Sequence, residues 1–132
     1  MHMVNLKLVT CDEKYWEFVR MLRTDPNNTN GFIQQIKITK EDQINYMTKY
    51  KNNYFVCLYN DTPVGYIGEI DGDIRVCTDH NYKNKGIGKF MVTELLKIKP
   101  NIFAKIKINN ENSIKLFNTC GFEVKYLILE PK

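Results

Sequence analysis

Apolar and polar residues alternate over positions 3–9, with Val4, Leu6 and Leu8 on one side, and this period of two predicts a strand. Thr10-Cys11-Asp12-Glu13 then reads as a capping box, with Thr10 as the cap and Glu13 reaching back. The spacing turns helical after it. Tyr15, Trp16, Phe18, Val19 and Leu22 fall on one face, and Asp25-Pro26 ends the helix. Residues 27–31 (Asn-Asn-Thr-Asn-Gly) read as a polar loop, and a second cap, Thr39 with Asp42, opens a helix through about Tyr50. Residues 54–59, 64–70 and 73–78 are strand-like, joined by a turn at Asn60-Asp61-Thr62-Pro63 and a two-residue hairpin signal at Asp71-Gly72. A helix is predicted over 86–97, a strand over 102–108, a helix over 111–120 and a last strand over 122–129.

The order β-α-α-β-β-β-α-β-α-β, with no linker or repeat, predicts one mixed α/β domain over residues 1–132. A hydrophobic share of 43% and a charged share of 26% exclude disorder and fibrous repeats. No apolar run approaches the roughly 18 residues of a membrane span, and the first residues lack the pattern of a secretory signal. Nineteen Lys and Arg against fifteen Asp and Glu leave +4, too dilute for a nucleic-acid footprint. Only Arg20, Arg23 and Arg75 are Arg. Cys11, Cys57, Cys77 and Cys120 are too far apart for a metal knuckle or redox pair, so reduced structural thiols in a cytoplasmic setting are expected, and no metal.

One segment carries chemistry. After the strand residues Val76-Cys77-Thr78 comes Lys83-Asn84-Lys85-Gly86-Ile87-Gly88-Lys89, a glycine-containing turn that starts a helix. Backbone N–H groups at a helix N-terminus attract anions, and glycines let a ligand approach the backbone closely. Lys83, Lys85 and Lys89 add charge, so a pyrophosphate would fit. The plain alternative is a helix start with solvated lysines. Phe90 stands where a Walker loop needs Ser or Thr, and Met91 where a dinucleotide fingerprint needs its third glycine.

Residues 83–88 resemble the Q/R-x-x-G-x-G/A acyl-CoA pyrophosphate loop of the GNAT acetyltransferase superfamily. Asn110-Glu111-Asn112-Ser113-Ile114-Lys115-Leu116-Phe117-Asn118-Thr119-Cys120-Gly121-Phe122 resembles that superfamily's N-x-x-A-x-x-L-Y-x-x-x-G-F segment, in the right order. The resemblance implies a single-domain GNAT fold, with a mixed central sheet splayed between its fourth and fifth strands and helices on both sides. It implies acetyl-CoA as cofactor. Val76, Cys77 and Thr78 would pair with the pantetheine arm, and Lys83, Asn84, Lys85, Gly86, Ile87, Gly88 and Lys89 would cradle the pyrophosphate. Asn110, Ser113 and Phe117 would contact the cofactor arm and its sulfur end.

Departures from the pattern are informative. Lys83 replaces Gln or Arg, Phe117 stands where many members carry a Tyr acid, and Lys105 stands where several carry a Glu base. The tail after Gly121-Phe122 is too short for the usual closing hairpin, so either the last strand is single or the chain is a domain cut from a longer protein. Asp73 and Glu69 remain as base candidates, the plain alternatives being a hairpin-closing residue and an exposed strand carboxylate. Tyr46, Tyr50 or Tyr82 could replace the acid. With few bases available, a low-pKa amine is favoured over a Lys side chain, whose pKa is about 10.4. Residues 22–26 and 38–42 resemble members acting on nucleotide-linked aminosugars. Asn28, Asn30, Phe32, Gln34 and Arg75 are the candidate acceptor contacts, Arg75 for an anionic group. Expected partners are a small-molecule amine, foremost a nucleotide-aminosugar, and either a second copy or a fused sugar-processing domain; nucleic acid and membrane are not expected. The alternatives are an acetyltransferase for protein N-termini or small amines, and a non-catalytic acyl-CoA-binding module.

Overall fold

The computed structural model describes residues 4–29 and 37–132. Strands β1 (Leu6–Thr10), β2 (Tyr54–Tyr59), β3 (Thr62–Ile70) and β4 (Asp73–Thr78) form one antiparallel sheet in sequence order. Helices α1 (Trp16–Thr24), α2 (Pro26–Thr29) and α3 (Lys40–Tyr50) fall between β1 and β2, while α4 (Ile87–Ile98) and α5 (Glu111–Thr119) follow β4.

The two sheet faces bury different helices. Trp16, Val19 and Leu22 of α1 and Met47 of α3 pack on Tyr54, Val56, Leu58, Tyr66 and Cys77. On the opposite face Ile87, Met91, Val92 and Leu95 of α4 and Phe117 of α5 pack on Cys57, Val64, Ile67 and Ile74. Alternation along β2 produces this division. In β3 a register shift opposite Cys57 and Leu58 brings Val64 onto the same side as Ile67, as a bulge does. Both hairpin turns, Asn60-Asp61 and Asp71-Gly72, carry two successive positive φ angles, which matches the right-handed twist of the strands they join.

The second capping box forms as predicted: Asp42 N donates to Thr39 Oγ1 at 3.1 Å, and Thr39 N to Asp42 Oδ2 at 3.3 Å. The first does not. Thr10 is still paired to Phe55 in β1, so its hydroxyl donates to Asp12 Oδ1 at 2.9 Å, and a 3-10 turn (Glu13–Tyr15) precedes α1. Asp25 ends α1 as expected, but Pro26–Thr29 is a short helix and not loop.

Two predicted strands are also corrected. The segment 102–108 makes a single parallel bridge, Phe103 to Asp73, with Ile74 N donating to Phe103 O and Phe103 N to Gly72 O, both at 2.9 Å. Beyond it the segment and β4 line opposite sides of a cleft, so the ladder cannot continue. Residues 122–129 keep their alternating sequence but form no strand. Val124, Tyr126 and Leu129 are 80%, 88% and 90% exposed, and without a neighbouring strand their backbone groups have no ladder to join. No helix among the described residues is long and apolar enough to cross a membrane.

Candidate active site

Where β4 and the segment after Phe103 part, they enclose a cleft of about 870 Å³. One wall is β4. Because the amide of Ile74 turns outward to Phe103, alternation turns the amides of Val76 and Thr78 toward the cleft as well, away from β3. Ala104, Lys105 and Ile106 form the facing wall.

The start of α4 closes one end. Asn84 and Gly86 have φ of 63° and 74°, and this left-handed pair folds the loop back onto the helix start. Gly86 is the N-cap and offers no side chain, so the first amides of the twelve-residue helix are not capped. A Cβ added at Gly88 would lie 3.1 Å from Leu116 Cδ2 and 3.9 Å from Thr78 Oγ1, within the gap between β4 and α5. These are the features an anionic, chain-like ligand needs: donors without acceptors, and space a side chain would fill. Lys83, Asn84, Gly86, Ile87, Gly88 and Lys89 all line the cleft; Lys85, in the same loop, does not.

Helix α5 supplies the third side. Asn110 caps it, accepting from Ser113 N at 3.1 Å, and both residues line the cleft. Phe117, 5% exposed, also lines it and meets Phe122 edge to face at 5.0 Å.

The lining also includes Arg23, Tyr54, Tyr66, Asp73 and Arg75, and Asn28, which sits beside His80 just past the end of β4. Asp73 Oδ2 is 3.3 Å from Arg75 Nη2, and Asn28 Oδ1 accepts from His80 N at 2.8 Å. Tyr46 and Tyr54 share a 2.6 Å hydroxyl hydrogen bond. Burial pushes the hydroxyls of Tyr54 and Tyr66 well above the ordinary tyrosine range, so both stay protonated. Cys77, which also lines the cleft, is pushed up to about 12, first by burial and then by Asp79, so it stays a thiol. Of the three tyrosines considered as acids, Tyr82 alone lines the cleft; Tyr50 meets Tyr46 at a tilt of 44°, with ring centroids 4.8 Å apart.

Glu69 lies elsewhere. Its carboxylate accepts from Lys99 Nζ at 2.6 Å, from Gly72 N at 2.8 Å and from Asn53 Nδ2 at 3.3 Å. Those partners, Lys99 first, hold it below the usual carboxylate range. Asn30, Phe32 and Gln34 lie outside the described residues. Sequence reasoning missed Arg23, Tyr54 and Tyr66 in the lining. Both tyrosines sit in strand patterns that signal only core, and Arg23 reads as the last turn of a helix.

Comparison with known proteins follows the same lines. A family model described as the acetyltransferase (GNAT) family matches residues 14–122. Comparison with curated proteins finds no match. Among solved structures, spermidine N-acetyltransferase from Vibrio cholerae, in complex with CoA and spermine, is similar with a TM-score of 0.81 at 16% identity, over 95% of this chain and 85% of that one. The structure of yncA from Salmonella typhimurium with its cofactor acetyl-CoA gives 0.77 at 16%, over 92% and 81%. Ribosomal-protein-alanine N-acetyltransferase from Brucella melitensis gives 0.75 at 19%, over 89% and 84%. At these identities the structures speak for the fold. The family match covers most of the chain, from α1 through the cleft to Phe122, and so the protein belongs to the GNAT acetyltransferase family and is an acetyl-CoA-dependent N-acetyltransferase.

Proposed function

We propose that the acceptor is the primary amine of a nucleotide-linked aminosugar, received at the Arg23–Tyr54–Arg75 end of the cleft. The observation that carries this reading is the charge of the lining. Arg23, Arg75, Lys83, Lys89, Lys105 and Lys115 contribute to it, against the single carboxylate of Asp73. With Lys83 and Lys89 given to acetyl-CoA, the acceptor end keeps Arg23 and Arg75 against Asp73. That net positive charge favours an amine carrying phosphate over a polycation such as the spermine held by the Vibrio protein.

The residues divide the work along the cleft. The uncapped amides of α4, with Lys83 and Lys89, would hold the pyrophosphate of acetyl-CoA, and the outward edge of β4 would pair with the pantetheine arm. Bound acetyl-CoA supplies an activated acetyl group as a thioester. The Val76 amide, turned toward the cleft, would donate to the negative charge that develops on a bound thioester's carbonyl oxygen, and a fixed donor of this kind lowers the barrier. Phe117 excludes water from the sulfur end. Asp73 takes the proton from the amine, with Arg75 holding its carboxylate in place. Cys77 as a thiol is a poor nucleophile, which favours direct transfer between two bound partners, where most of the advantage is positional.

The test is thiol release from acetyl-CoA with a panel of amines: nucleotide-aminosugars, spermidine and an alanine-starting peptide. Turnover fastest on the aminosugar is expected. Faster turnover of spermidine or the peptide would overturn the acceptor assignment.

A further inference from the structure

Arg23 stands at the acceptor end without the partner its charge calls for. Arg20, one turn earlier, is ion-paired to Glu17 and also donates to Ile38 O at 3.1 Å. Arg75 has Asp73. Among the described residues Arg23 has no carboxylate, and residues 1–3 and 30–36 contain no Asp or Glu. It is nevertheless half-buried and held in place. Its guanidinium lies over the Tyr46 ring, 4.7 Å from the centroid, and Nη1 donates to Gln43 Oε1 at 3.3 Å. Gln43 is itself 1% exposed and anchored to Trp16 O at 3.0 Å, so the support behind Arg23 is rigid. Tyr46 in turn holds the Tyr54 hydroxyl, and Arg23, Tyr54 and Tyr66 face the cleft together.

A stacked, half-desolvated guanidinium with donors to spare and no counter-charge is a built site for an oxyanion, whose planar or tetrahedral oxygens match its fork. We propose that Arg23 is the specificity-determining residue of the acceptor site and binds an oxyanion, phosphate or carboxylate, carried by the acceptor amine. Arg75 is occupied by Asp73 and so reinforces the field without replacing that contact. The inference rests on the proposed placement of the acceptor at this end of the cleft.

The test uses the full chain loaded with CoA, so that binding is read without turnover. Phosphoethanolamine, β-alanine and ethanolamine are titrated by calorimetry into wild type, Arg23→Met and Arg23→Lys. Phosphoethanolamine is expected to bind at least about ten-fold more tightly than ethanolamine, the scale of one hydrogen bond to a charged group. The β-alanine arm tells a carboxylate site from a phosphate site. The preference should vanish in Arg23→Met and survive in part in Arg23→Lys, with cooperative melting and CoA affinity kept in both, and the melting temperature lower in Arg23→Met, where Gln43 Oε1 loses its donor. Equal binding of the three amines to wild type, or a preference intact in Arg23→Met, would overturn the proposal. Selective binding through Arg23, joined to absent turnover of nucleotide-aminosugars when acetyl-CoA replaces CoA, would count against the aminosugar reading and leave the oxyanion site standing.

Discussion

Burial decides what the thiols and carboxylates of this chain can do. Cys11, Cys57 and Cys77 are buried and pushed up to about 12, 11 and 12 respectively, whereas Cys120 is partly exposed. Since the thiolate is the reacting form, iodoacetamide at pH 8 should modify Cys120 first, with the other three following only on unfolding; intact and peptide mass spectrometry would show the order. Rapid modification of Cys77 would mean that the cleft wall is more open than described. Phe117 permits a sharper test. It is buried beside Phe122 and cannot donate a proton, so its part is shape. Phe117→Tyr should keep turnover within a few-fold of the parent, because a thiol leaving group with a pKa near 8.5 needs little acid help. Phe117→Ala should lose activity and roughly 3–5 kcal/mol of stability by opening a cavity, as steady-state rates and denaturant melts would show. At this scale the sequence was legible where chemistry is local. The loop at 83–89 reads as a glycine-containing helix start, and Asn110, Ser113 and Phe117 enter through the family resemblance; all of these but Lys85 meet along one cleft. Arg23, Tyr54 and Tyr66 come from α1, β2 and β3, and no spacing along the chain announces that they meet.

Among the elements, local hydrogen bonding was read correctly only where tertiary structure did not claim the same groups. The box at Thr39 forms where no strand of the sheet claims Thr39 or Asp42, while Thr10 belongs to the β1–β2 ladder. Glu69 illustrates the same limit for function. A carboxylate on a strand looks available until Lys99, thirty positions away, is folded against it. There it joins the end of β3 to the residue following α4, and Asn53, just before β2, adds a third contact. Its folded-state pKa is lowered, so the ionised form favours the native state. That stabilisation is complete above the ordinary glutamate value of 4.5 and is lost as pH falls through the lowered one. Glu69→Gln should therefore lower the melting temperature near neutral pH and flatten its fall below about pH 4.5, where the wild-type advantage disappears. A parallel acid limb in both proteins would show that Lys99 and Gly72 do not hold the carboxylate as described. The strands predicted at 102–108 and 122–129 fail for a related reason: alternation marks what a segment would do with a neighbour, and only Phe103 finds one.

For the molecule as a whole, two layers of helices fix a four-stranded sheet whose last strand is paired on one side and, beyond Ile74, open on the other. That open edge, an uncapped helix start and a ring of cations make one continuous path through the cleft, and the account stands on acetyl-CoA occupying it. Calorimetric titration of acetyl-CoA into wild type and Gly88→Val tests this most directly. A Cβ at residue 88 would point at Leu116 and Thr78, so the branched methyls of Val would fill the space between α4, β4 and α5 assigned to the cofactor. Wild type should bind one acetyl-CoA per chain, more weakly as salt screens the lysines within about 8 Å at physiological ionic strength. Gly88→Val should show no binding while melting as a folded protein; acetyl-CoA binding to Gly88→Val with wild-type affinity would contradict the placement of the cofactor and the mechanism built on it.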